Sequence, residues 1–114
     1  DMDYSVDYKP TNRRRAKRTV PKNKAQRTKD IKNAIRWNIR QLEHDTASTA
    51  YIQRPLIISI LRLNRISPHA DPSGDNTFQQ LIAEGWVPRP ERFAGSQWFG
   101  RDDLLQSLKA YVRA

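Results

Sequence analysis

Apolar side chains between residues 23 and 45 recur every three or four positions, as one buried face of a helix requires. We therefore predict a helix here, capped at its start by Asn23 or Thr28. Trp37 lies off the main apolar face, and we expect it to make a wider core contact, with a position that faces a partner as the alternative. The positions of the face are Ala25, Ile31, Ala34, Ile35, Asn38, Ile39 and Leu42.

Residues 50–65 contain the most hydrophobic run of the chain, which extends from Leu56 to Leu63. Periodicity does not distinguish a buried strand from a buried helix in so short a run. Pro55 suits the first turn of a helix, and arginines recur through the segment, so we predict a core helix over 50–65. Residues 66–76 are rich in Pro, Asp and Gly, which predicts a loop.

Residues 77–114 predict a helix, a β-hairpin and a second helix. The first helix runs from about Thr77 to Glu84, with Asp75, Asn76 or Thr77 as its cap, and Gly85 ends it in a left-handed conformation. Prolines at 88 and 90 force an extended segment, and residues 94–97 form the turn. Asp102 or Asp103 is expected to cap the last helix, and Trp86 and Trp98 are large enough to be expected in the core.

This order of elements resembles the phage excisionases and AlpA-like prophage regulators, which are small relatives of the MerR winged-helix group. The shared pattern is Leu81-Ile82-x-x-Gly85-x-x-Pro88-x-Pro90, then Gly95-x-x-Trp98, then Asp102-x-Leu104, over about a third of the chain.

The resemblance implies a winged-helix-like domain whose short helix enters the major groove of DNA. Its hairpin, the wing, touches the backbone or the minor groove. Gln and Asn on the helix suit the edges of adenine, and Arg on the wing suits phosphate. Carried over by position, the helix contributes Asn76, Thr77, Gln79 and Gln80, and the wing contributes Arg89, Arg92, Gln97 and Arg101.

The charge of the chain is concentrated at one end. The formal net charge is +9, and thirteen of the 21 Lys and Arg residues lie between Lys9 and Arg40, with Asp30 as the sole acid there. Such a segment favours a polyanionic partner, because neutralised phosphates release their counterions. The expected phosphate contacts are Arg13, Arg14, Arg15, Lys17, Arg18, Lys22, Lys24, Arg27, Lys32 and Arg36.

These patterns together predict a disordered basic arm over 1–22 and one small domain over 23–114. The fold class is mainly α with a small β-hairpin, a winged-helix-like domain preceded by a basic helix. Duplex DNA is the favoured ligand. An RNA-binding factor that uses the Arg-rich arm, as an antiterminator or a ribosome-associated protein does, stays open. An adaptor that joins nucleic acid to a protein stays open as well, and so does self-association.

Enzymatic chemistry is not indicated. Asp102 and Asp103 are adjacent rather than opposed, the two histidines have no evident nucleophile, and no glycine-rich phosphate loop occurs. We therefore expect no catalytic residue, no metal and no cofactor. Without an apolar run of about 18 residues or a signal peptide, we expect no membrane partner. The expected location is the cytoplasm or the nucleoid, or the nucleus of a eukaryotic host.

Overall fold

The computed structural model describes residues 23–114, so the predicted arm over 1–22 lies outside the described residues. Within this range the chain is mainly helical and carries a small antiparallel sheet, which confirms the coarse fold class. The helices are α1 (Lys24–Asp45), α2 (Arg54–Leu61), α3 (Asp75–Ala83) and α4 (Arg101–Arg113), with a 3₁₀ turn at Leu63–Arg65. The strands are β1 (Tyr51–Gln53), β2 (Glu91–Phe93) and β3 (Ser96–Gly100).

Helix α1 matches the predicted helix closely. The Asn23 side chain accepts a hydrogen bond of 2.8 Å from the Gln26 amide, so Asn23 is the cap. The helix packs against α2 and α4 through the face that carries Ile31, Ile35 and Leu42.

The expected core position of Trp37 is wrong, because 81% of this side chain is exposed. Successive residues of a helix are rotated by about 100°, so Trp37 points about 200° away from the buried Ile35. That rotation places the indole on the side of α1 that faces away from the core.

The sheet has three strands in the order β1-β3-β2, rather than the two of the predicted hairpin. Ile52 of β1 pairs with Phe99 of β3, and both side chains are buried. A core helix over 50–65 is therefore wrong at both ends. It begins only at Arg54, and Arg62 ends it in the left-handed conformation with φ of 58°.

Helix α3 begins at Asp75, behind Gly74, and none of its own first residues supplies a side-chain cap. Asp71 in the preceding loop does so instead, so the predicted caps Asp75, Asn76 and Thr77 are wrong. The helix ends as predicted at Gly85, whose φ is 85°. The amide of Trp86 donates to the carbonyl of Leu81 at 2.9 Å, which completes a left-handed C-cap.

The hairpin turns over Ala94 and Gly95, which both have positive φ, as the type I′ form of a two-residue hairpin requires. Helix α4 follows β3 directly, with Gly100 at the cap position. The prediction that Asp102 or Asp103 caps this helix is wrong. Both carboxylates lie in its first turn, where the helix dipole favours negative charge.

The two tryptophans expected in the core are both half-buried. Trp86 packs against the core, with its ring 5.1 Å from that of Tyr111. Trp98 alternates along β3 with the buried Phe99, so it lies on the opposite face of the sheet. The expected core position is therefore wrong for Trp98.

Candidate nucleic-acid interface

Arg54, at the start of α2, joins helix α3 to the hairpin. Its Nε donates to Asp75 Oδ1 at 2.8 Å, and its Nη1 donates to Gln79 Oε1 at 3.2 Å and to Gln97 Oε1 at 2.9 Å. The guanidinium also lies 5.0 Å from the ring centroid of the buried Phe78. The side chain is only 12% exposed, so packing holds this fork in place. Sequence reasoning missed Arg54, and its one local signal was an arginine directly before Pro55.

The junction at Arg54 fixes the orientation of two glutamine amides. A guanidinium has donors and no acceptor, so Gln79 and Gln97 must turn their oxygens toward Arg54. Their NH₂ groups then point away from it. Two of the side chains expected to contact nucleic acid, one on α3 and one on the hairpin, thus share a hydrogen-bond donor, the Arg54 guanidinium.

The other residues expected on the helix face have different environments. Thr77 is fully buried, and its hydroxyl donates to Asp71 Oδ2 at 2.8 Å, so its expected place on the exposed face is wrong. Gln80 is half-buried, and its Nε2 donates to Glu84 Oε2 at 3.1 Å. Asn76 is exposed. The accessible polar side of α3 therefore consists mainly of Asn76, Gln79 and part of Gln80.

Two of the three arginines expected on the wing are exposed, namely Arg89 and Arg92. Arg101 is the exception, because its side chain is 20% exposed and turned toward α1. It donates to Thr46 Oγ1 at 3.1 Å and to the carbonyl of Glu43 at 2.9 Å. The expected place of Arg101 on the wing is therefore wrong, since it ties α4 to the end of α1.

The Lys and Arg residues of α1 fall into two groups, those that contact the rest of the domain and those whose side chains are exposed. Lys32 donates to the carbonyl of Ala114 at 3.0 Å and lies 5.4 Å from the Tyr111 ring centroid. Arg27 is half-buried, and its positive charge helps to lower the pKa of Asp71. Lys24, Lys29, Arg36 and Arg40 are exposed, and Lys29 and Arg40 were missed as candidate contacts. The remaining candidates, Arg13, Arg14, Arg15, Lys17, Arg18 and Lys22, lie outside the described residues.

A buried carboxylate supports the start of α3. Asp71 accepts hydrogen bonds from the amides of Asn76 and Thr77, at 3.2 and 2.8 Å, and from the Thr77 hydroxyl. Burial acts to raise the pKa of Asp71, but these hydrogen bonds and the charge of Arg27 outweigh it, so the pKa is lowered. The ionised form of Asp71 is thus the one that stabilises the fold.

We expect Asp71→Asn to lower the free energy of unfolding by about 2 kcal/mol at neutral pH, because a charged acceptor is lost from a buried site. A lowered pKa in the folded state means that this stabilisation is complete above the ordinary pKa of Asp. It is lost as the pH falls through the folded value. Urea unfolding at a series of pH values measures the difference between the two proteins. That difference should shrink under acidic conditions, and a constant difference would contradict the role of the charge.

The described residues hold no group of three or more His, Asp or Glu side chains that could bind a metal ion. Between residues 23 and 114, no helix has the length and apolarity needed to cross a membrane. Comparison with protein-family models, curated proteins and solved structures finds no match to this chain.

Proposed function

We propose that this chain binds double-stranded DNA, as a regulatory or architectural factor, through a winged-helix-like domain. The observation that carries the proposal is the junction at Arg54, which holds the exposed side of α3 beside the hairpin. A short helix next to a hairpin is the reading surface of the regulators that residues 77–112 resemble. The major groove of duplex DNA is wide enough to admit such a helix.

Selection and grip are assigned to different parts of the chain. Residues 75–83 contain no Lys or Arg, so α3 brings little electrostatic attraction to the groove. The segment from Lys9 to Arg40, together with Arg89 and Arg92, supplies the positive charge. Phosphate contacts set position and affinity, whereas contacts to base edges set sequence preference.

The orientation of the glutamine amides suggests a chemical preference. With their oxygens bonded to Arg54, Gln79 and Gln97 present NH₂ donors to an incoming ligand. In the major groove the matching acceptors are guanine N7 and O6, thymine O4 and adenine N7. We therefore expect the bound duplex to place one of these acceptors against Gln79.

Gln79→Ala tests this proposal on a duplex selected from a random pool by the unaltered protein. We expect the variant to bind the selected duplex about tenfold more weakly, because a base contact is lost. Binding to an unrelated duplex should change little. Gln106→Ala is the matched control, since Gln106 is an exposed glutamine on α4, away from the junction. Fluorescence anisotropy measures the affinities of the unaltered protein and of both variants for both duplexes.

Three outcomes would overturn the proposal. Equal effects of Gln79→Ala on the selected and the unrelated duplex would remove α3 from sequence selection. Preferential binding of structured RNA by the unaltered protein would favour the RNA-binding factor. Absence of binding to duplex DNA and to structured RNA at low salt would overturn the proposal. It would also exclude an adaptor that binds nucleic acid.

A further inference from the structure

Trp37 is the most exposed large hydrophobic side chain of the described residues, at 81% exposure. It lies near the middle of α1, and its ring makes no stacking or cation–π contact within residues 23–114. Exposed Trp offers a large, rigid ring at low entropic cost, and such residues dominate the energy of many binding surfaces. The position of Trp37 is therefore a candidate contact for a partner.

The surroundings of Trp37 are strongly positive. Lys29, Arg36 and Arg40 are all exposed and share with Trp37 an arc of about 100° around the helix. Asn33 lies within the same arc and accepts a hydrogen bond of 2.7 Å from Arg36 Nη1. We call this surface, formed by Lys29, Asn33, Arg36, Trp37 and Arg40, the outer face of α1. Lys29 and Arg40 form no ion pair with a residue in the described range.

This charge argues against a second copy of the chain as the occupant. A two-fold symmetric contact would bring the same face of two copies together, so Lys29, Arg36 and Arg40 would meet their own equivalents. Repulsion between like charges opposes that contact. The positive charge favours an anionic partner, and the exposed indole favours a partner with a flat ring. An unpaired nucleotide has both a negative phosphate and a flat base.

We propose that the outer face of α1 is a single-strand binding surface, on which the indole of Trp37 stacks on an unpaired base. Lys29, Arg36 and Arg40 contact the phosphates on either side. Every base presents a π-face, so this contact is tolerant of sequence and common to single-stranded DNA and RNA. In a duplex the bases are stacked on each other and do not offer their faces.

This surface is separate from the one formed by α3 and the hairpin. Helix α1 packs on α2 and α4 through its apolar side, and its outer face points the opposite way. The inference goes beyond binding of duplex DNA because it adds a stacking contact by Trp37, although Lys29, Arg36 and Arg40 also belong to the segment proposed to contact duplex phosphates.

Titration of the full chain with fluorescently labelled oligo-dT, oligo-U and a duplex tests the inference. We expect Trp37→Ala to weaken binding of both single strands about tenfold, with Trp37→Phe retaining part of the affinity. Duplex affinity should stay unchanged. Leu56→Ala is the matched control, because Leu56 is an exposed apolar residue on α2, at 47% exposure. A second variant, Arg36→Gln with Arg40→Gln, should make the negative slope of log affinity against log salt for oligo-dT shallower by about 1.4.

Each alternative result has a definite meaning. If Trp37→Ala leaves both single strands bound as before, the inference fails. A change in the molar mass in solution would then identify Trp37 as a self-association contact. Equal weakening of duplex and single strands would also overturn it, because the two surfaces would then be one. A preference for one of the two single strands identifies the natural source of the ligand. Binding of single strands through Trp37 without any duplex binding would sustain this inference and refute the duplex proposal.

Discussion

Deletion of residues 1–22 is expected to weaken binding to every duplex, by on the order of a hundredfold at moderate salt. The segment carries seven Lys and Arg residues and three Asp residues, and it holds a third of the 21 bases of the chain. If about six of the seven contact phosphate, the negative slope of log affinity against log salt becomes shallower by about 5. Anisotropy titrations between about 50 and 200 mM KCl measure both quantities.

Deletion of residues 1–8 alone is the control for the arm. It removes Asp1, Asp3 and Asp7 and no base, so it should leave the salt slope unchanged and raise affinity slightly. Thermal unfolding of both deletion variants controls for a loss of folding. Unchanged affinity after deletion of 1–22 would show that the arm has a different role from gripping DNA.

Substitution of Gly74 by Ala is expected to cause the largest loss of stability. The added Cβ would lie 2.6 Å from the backbone nitrogen of Asn64 and 2.8 Å from Ile58 Cγ2. Gly74 also has φ of 76°, which disfavours any residue with a Cβ. Strain and overpacking together predict a loss of about 3 kcal/mol in the free energy of unfolding.

Gly95→Ala separates the two causes of this loss. Gly95 has φ of 80°, but nothing lies within 4 Å of the Cβ that would be added. We expect that variant to lose about 1 kcal/mol, from backbone conformation alone. Thermal unfolding should therefore show a drop of about 15 °C for Gly74→Ala and about 5 °C for Gly95→Ala. Equal drops would mean that the close approach of Gly74 to the 3₁₀ turn is unimportant.

Local signals in the sequence were enough to predict several elements. The apolar period of α1, the cap at Asn23 and the left-handed end of α3 at Gly85 all depend on neighbours within a few positions. Such features are decided by the covalent chain and its nearest turn. They were therefore predicted correctly without knowledge of the tertiary structure.

Features that depend on distant partners could not be read from the sequence. Strand β1 exists because Ile52 meets Phe99, which lies far along the chain. Asp71 caps a helix from outside it, and Arg54 is a junction only because α3 and β3 converge on it. The exposure of Trp37 was misjudged for a different reason. We expect a wider core contact from an aromatic residue beside the apolar face, whereas the angle of Trp37 around α1 turns its side chain to solvent.

Competition for a labelled duplex is the most direct measurement of the central claim, that this chain grips and reads double-stranded DNA. The full chain is titrated with unlabelled duplex, single-stranded DNA and structured RNA between about 50 and 200 mM KCl. We predict that duplex displaces the label at the lowest concentration and that affinity falls steeply as salt rises. Displacement by structured RNA at a lower concentration than duplex, or no duplex binding at the lowest salt, would contradict the account.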